Sequence, residues 1–128
     1  LLSRGLGDVY KRQALDSIES CDWLLLCTGQ SEKWGSEEYF GTEPLFTEAF
    51  VKAAARIARK GIGLDCSGLD REGVALHCVW FSSGGGLMVE NLTDLEMLLS
   101  ESQILFAAYP LKLAAGDGAP VRAVAVLG

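Results

Sequence analysis

The stretch Thr47 to Gly68, TEAFVKAAARIARKGIGLDCSG, decides how this chain folds. Thr47 is a good N-cap, because its hydroxyl accepts a hydrogen bond from a backbone N–H left without a partner in the first turn. Glu48 suits the positive end of a helix dipole. Phe50, Ala54, Ile57 and Ala58 recur at helical spacing. Arg56, Arg59 and Lys60 load the last turn, and Gly61 ends it. The helix runs directly into GIGL, a short apolar strand through Leu64 that opens a polar loop at Asp65.

Upstream, Asp22 to Thr28 (DWLLLCT) is apolar, short and followed by Gly29, which suits a strand with both faces covered. Strand, helix and strand in that order predict a parallel pair joined by a right-handed crossover. Between them, QSEKWGSEEYFGTEP carries three Gly/Pro breaks and reads as an ordered loop with one helical turn, pinned by Trp34, Tyr39 and Phe40. Downstream, residues 72–81 fit strand alternation in places and a helix face equally well. Ser82 to Gly86 forces a turn, and Leu87 to Glu90 reads as a strand ending on a carboxylate. Thr93 and Glu96 form a T-x-x-E capping box before a short helix. Ile104 to Tyr109 and Val121 to Val126 are two last strands around the turn AAGDGAP. The sum is a single α/β domain with several buried strands.

Composition narrows the function. At 128 residues with 49% hydrophobic content, the chain has material for one core. A formal charge of -6 with no Lys/Arg stripe argues against nucleic acid, whose binding relies on basic residues releasing counterions. No apolar run reaches the length of a membrane span, and a soluble, cytoplasmic protein is expected. Cys21, Cys27, Cys66 and Cys78 lack metal or redox spacing and read as free structural thiols.

His77 is the only histidine, which removes many mechanisms at once. No G-x-S-x-G elbow exists, since Asp65-Cys66-Ser67-Gly68 lacks the first glycine. A dinucleotide fingerprint fails because Cys66 stands where the third glycine belongs after Gly61 and Gly63. What remains is His77 with Glu90 around a glycine-rich turn, an imidazole and a carboxylate suited to Zn²⁺ or Mn²⁺. Two ligands are fewer than a catalytic site uses, and a lone histidine in an apolar segment is more often a hydrogen-bonded core residue. Asp65, Ser67 and Asp70 follow a strand's carboxyl end, where loop capping or support of a ligand site are the two readings. Trp34, Tyr39 and Trp80 either line a pocket for an aromatic substrate or belong to the core.

The order of DWLLLCTGQSEKWG, GIGLDCSGLD, LHCVWFSSGGGLMVENLTDLEML and ILFAAYPLKLAAGDGAPVRAVAV is similar to the second half of the cyclase family. That family includes bacterial kynurenine formamidase and isatin hydrolase. The resemblance spans Asp16 to Leu127, and its most specific parts are VENLTDL and the closing GDGAPVRA run. It implies a swivelling β/β/α-type fold, a divalent metal (Zn or Mn) and hydrolysis of an amide bond by metal-activated water. It also implies a small aromatic amide substrate and, commonly, a homodimer. An arylformamidase reaction, N-formylkynurenine to kynurenine and formate, is the leading activity. An isatin hydrolase-like cyclic amidase and a non-catalytic α/β binding or assembly module are the alternatives.

Carried over by position, His77 and Glu90 are metal ligands, with Asp65, Ser67, Trp34 and Trp80 as candidates for substrate contact or support. Glu90 stands thirteen positions after His77, an interval one longer than the family pattern, and Gly84 to Gly86 accounts for the extra residue. The family's H-G-T-H-x-D-A-P motif has no counterpart, since it needs histidines this chain lacks. Residues 8–13, DVYKRQ, resemble the translated end of a transposon adapter that recurs at the edges of metagenomic fragments. On that reading residues 1–13 are an exogenous scar and 14–128 an N-terminally truncated, inactive domain. A genuine polar arm is the alternative. Without the scar, Arg4, Lys11, Arg12 and Asp8 drop out, leaving eight basic and sixteen acidic groups.

Overall fold

The computed structural model describes residues 15–128, so the stretch read as a scar lies outside the described residues. Its centre is a three-stranded parallel sheet in the order β1 (Cys21–Leu26), β2 (Ala58–Leu64), β3 (Leu87–Val89). Helix α1 (Glu48–Ile57) links β1 to β2, and α2 (Ala75–Ser82) links β2 to β3. A second sheet is the antiparallel hairpin of β4 (Ile104–Pro110) and β5 (Val121–Leu127).

Period-two alternation in β1 divides the core into two layers. Leu24 and Leu26 join Phe50, Val51, Ala54, Ile62, Leu64 and Trp80 under the helices. Leu25 and Cys27 turn the other way, onto Val89, Leu92, Leu95 and Leu98. Burying each large apolar side chain in these layers contributes roughly 1.5–3 kcal/mol before the entropy of ordering it. Gly63 is required between the layers, because a Cβ there would lie 2.6 Å from a Leu25 methyl and 2.8 Å from one of Leu92. The Trp23 and Phe106 rings meet edge to face at 5.1 Å and join the hairpin to the sheet.

Thr47 caps α1 as read, its Oγ1 accepting from the Phe50 N–H at 3.3 Å. The helix nevertheless stops at Ile57, three residues before the charged end that its sequence suggests. Ala58 pairs with Cys21, and Arg59 and Lys60 lie in β2, where both reach Asp22 at 2.9 and 2.7 Å. Strand pairing supplies backbone partners that an extra helical turn would forfeit. Residues 75–82 resolve as helix. The capping box does not form: Asp94 (φ 60°) precedes a 3-10 turn, Leu95–Leu98, without a side-chain cap. Thr93 Oγ1 instead donates to Asp94 Oδ2 at 3.4 Å.

Leu105, Tyr109 and Val126 are exposed, so β4 and β5 are not buried strands. None of the four cysteines is disulfide-bonded, and no helix among the described residues is long and apolar enough to cross a membrane.

Candidate functional site

Three loops meet where the parallel strands end. The loop after β2 begins with Asp65, fully buried. Its carboxylate accepts from the Thr28 N–H at 2.9 Å, the Thr28 hydroxyl at 2.6 Å and the Gly29 N–H at 2.7 Å. Asp65 therefore binds the end of β2 to the end of β1, a structural tie rather than an open ligand group. Beyond β3, the Asn91 N–H donates to the Cys66 carbonyl at 3.0 Å, which sets the third loop against the second.

Two side chains face one another across this junction. His77, on the first turn of α2, brings Nε2 to 3.3 Å from Oε1 of Glu90, the residue after β3. Both are about one-third exposed, at 29% and 34%. Gly68 makes the approach sterically possible: at φ +142° it packs so closely that a Cβ would lie 2.7 Å from Glu90 Oε1 and 3.1 Å from His77 Cε1.

The opposite edge of the imidazole is held by Asp70. His77 Nδ1 lies 2.7 Å from Asp70 Oδ2. The same carboxylate accepts from the backbone N–H of Leu76 at 2.9 Å and of His77 at 3.0 Å. Val74, in the N-cap position of α2, has no side-chain capping bond, so Asp70 does that work from four residues upstream. Burial disfavours charge on His77, yet its bonds with Asp70 and Glu90 outweigh that and raise its pKa above the ordinary value. Burial would likewise raise Asp70, but the His77 ring and the two N–H donors hold it below the usual carboxylate range.

A second polar cluster borders the first. Glu43, buried at 4% exposure, accepts from the Ser67 hydroxyl at 3.2 Å and the Gly41 N–H at 2.6 Å, with Arg71 Nε at 3.8 Å. Arg71 also donates to the Glu43 carbonyl. Tyr39 donates to Asn91 Oδ1, and burial pushes its hydroxyl up to about 12. Burial does the same to the Cys66 thiol, also to about 12.

Of the residues singled out from sequence, the fold brings His77 and Glu90 together and sets Asp65 and Ser67 in separate hydrogen-bonded ties. Trp34 is 62% exposed and leans edge-on against Tyr39 at 4.9 Å. Trp80 is fully enclosed in the core, with Nε1 donating to the Gly86 carbonyl at 2.8 Å, so no face of it is open to a ligand. Glu43 and Arg71 carry no signal in the sequence, because Ser67 lies 24 residues from Glu43 and the Glu43 carbonyl 28 from Arg71, and Asn91 is marked only by its place in VENLTDL, its Tyr39 partner being 52 residues away. Asp70 is legible in the sequence as a residue of loop capping or site support but not as the cap of α2, since capping patterns are read one to three residues from a helix start.

His77 and Glu90 fit a metal ion as two donors, with His77 additionally held by a carboxylate, as metal-bound histidines usually are. Among the described residues no group of three or more His, Cys, Asp or Glu side chains is placed to hold one. The pair by itself thus offers two donors, fewer than a catalytic metal site uses.

No family model matches the chain. It is 31% identical over 114 residues to an uncharacterized protein of Methanocaldococcus jannaschii, covering 88% of this chain and 58% of that one. A solved structure described as a potential metal-dependent hydrolase with cyclase activity is 30% identical, with a TM-score of 0.64, over 84% of this chain and 51% of the other. Isatin hydrolase A from Ralstonia solanacearum, at 22% identity, superposes with a TM-score of 0.72 over 94% of this chain and 51% of its own. The chain thus has the α/β fold of these hydrolases and spans about half the length of the relatives it matches.

Proposed function

We propose that this chain belongs to the cyclase family of metal-dependent hydrolases and serves cleavage of an amide C–N bond, with His77 and Glu90 donating to one divalent cation. The observation that carries this reading is the 3.3 Å approach of His77 Nε2 to Glu90 Oε1 at the carboxyl ends of parallel strands. An imidazole and a carboxylate together suit Zn²⁺ or Mn²⁺. A cation bound there supplies a Lewis acid for the carbonyl and lowers the pKa of a water molecule. The chain's own residues hold the donors in place: Asp70 fixes the His77 ring, and Gly68 leaves room for Glu90 beside it.

An aromatic amide of the N-formylkynurenine kind is the first substrate reading. Trp34 supports it, because it is exposed and leans edge-on against Tyr39, whose hydroxyl donates to Asn91 beside Glu90. The shared fold with isatin hydrolase favours a cyclic amide as the second. Two donors bind a cation weakly, and the 128-residue chain by itself is expected to turn over neither substrate.

Calorimetric titration with Mn²⁺ and Zn²⁺ tests the site. Weak binding that falls at least tenfold in both His77→Ala and Glu90→Ala is expected. Binding that neither substitution changes overturns the metal reading and leaves the non-catalytic module. Robust hydrolysis of N-formylkynurenine or isatin by this chain overturns the two-donor account.

A further inference from the structure

We propose that Asp70 is a positioning residue that holds neutral His77 in its Nδ1–H tautomer, so that the Nε2 lone pair faces Glu90. A neutral imidazole carries one proton, and two carboxylates compete for it. Asp70 Oδ2 stands 2.7 Å from Nδ1, whereas Glu90 Oε1 stands 3.3 Å from Nε2. The shorter bond lies in the charge-assisted range and the longer one beyond it. Burial points the same way: the Asp70 side chain is 6% exposed and that of Glu90 34%, so water competes for Glu90 and scarcely for Asp70. Asp70 is also tied on both oxygens. Its two oxygens accept from the Leu76 and His77 N–H groups, and rotating the carboxylate away from the ring would break both bonds at the start of α2.

One carboxylate thus fixes the helix terminus and the ring that projects from it, and the tautomer follows from the helix position. For its functional meaning the inference rests on the metal reading above, because a cation needs the unprotonated nitrogen on the Glu90 side.

The single histidine makes the test direct, since a long-range ¹H–¹⁵N spectrum of the labelled chain contains one imidazole. At pH about 9, above the ordinary histidine range, wild type is expected to show a protonated Nδ1 and an unprotonated Nε2. In Asp70→Asn, Oδ1 still accepts from the Leu76 N–H while an NH₂ group replaces Oδ2 beside Nδ1 and gives up the His77 N–H bond, so the two ¹⁵N resonances should exchange character. Glu90→Gln should leave the tautomer as it is in wild type. An Nε2–H tautomer in wild type, no change in Asp70→Asn, or a switch in Glu90→Gln each overturns the proposal. Should Asp70→Asn fail to fold, wild type and Glu90→Gln decide the matter alone.

Mn²⁺ titration of the same samples separates this inference from the reading beneath it. Binding about 10- to 100-fold weaker in Asp70→Asn supports both. A tautomer switch with no metal binding in either protein supports the positioning role and overturns the metal site.

Discussion

Gly68 stands where a Cβ would fall 2.7 Å from Oε1 of Glu90, on a backbone whose φ of +142° an L side chain rarely adopts. The residue packed against both donors is therefore constrained twice, by conformation and by space. Gly68→Ala is expected to destabilise the chain by roughly 1–3 kcal/mol, the usual cost of a residue forced into a sparsely populated conformation. It should also push Glu90 away from His77. Urea denaturation measures the first effect and Mn²⁺ titration the second; an alanine variant with wild-type midpoint and affinity would refute the account.

Asp65 carries a different burden. Its buried carboxylate is shared by two N–H groups and a hydroxyl of the Thr28–Gly29 turn. Asp65→Ala leaves those donors without their acceptor, at about 1–3 kcal/mol for each one that stays buried. A loss near the full stability of a small domain is expected. Thr28→Val removes the hydroxyl's bond to Asp65 and the one it accepts from the Gln30 N–H at 3.3 Å, and should cost about 1–3 kcal/mol. Equal midpoints for Asp65→Ala and Thr28→Val would show that the turn finds other partners.

The pair of Asp70 and His77 sets a pH window. The His77 pKa is raised on folding, so its contribution is full below the unfolded value of 6.5 and is lost as pH rises through the higher folded value. The Asp70 pKa is lowered on folding, so its contribution is full above 3.8 and is lost as pH falls through the lower folded value. Both are present between those two unfolded values. Denaturation midpoints measured across pH should fall on both sides of that window, and Asp70→Asn should flatten both flanks. A wild-type profile flat through the histidine range would contradict the pairing.

Much of the fold is legible in single segments. The run Trp23 to Leu26 is too short and too apolar for a helix, and the Thr47 cap with its apolar stripe announces α1. Where reading by segment failed, a distant partner outweighed local preference. Arg59 and Lys60 suit a helix end by charge, yet the Asp22 carboxylate and the edge of β1 draw them into β2. Thr93 and Glu96 have the spacing of a capping box, but Leu95 and Leu98 are drawn into the second core layer as a 3-10 turn.

The candidate site divides the same way. Its chemistry is fixed by composition, since a chain with one histidine can offer only His77 as an imidazole. Residue type and order also determined the strand and helix periods and the carboxylate at the end of β3, because these depend on neighbours within a few positions. Only tertiary structure decided that Asp70 rather than Val74 holds the start of α2, that Asp65 is spent on Thr28, and that Gly68 lets Glu90 approach His77. Those outcomes depend on distances between loops that meet only after the parallel strands have paired. Hydrogen bonds and steric contacts act over a few ångströms, so no spacing along the chain encodes them.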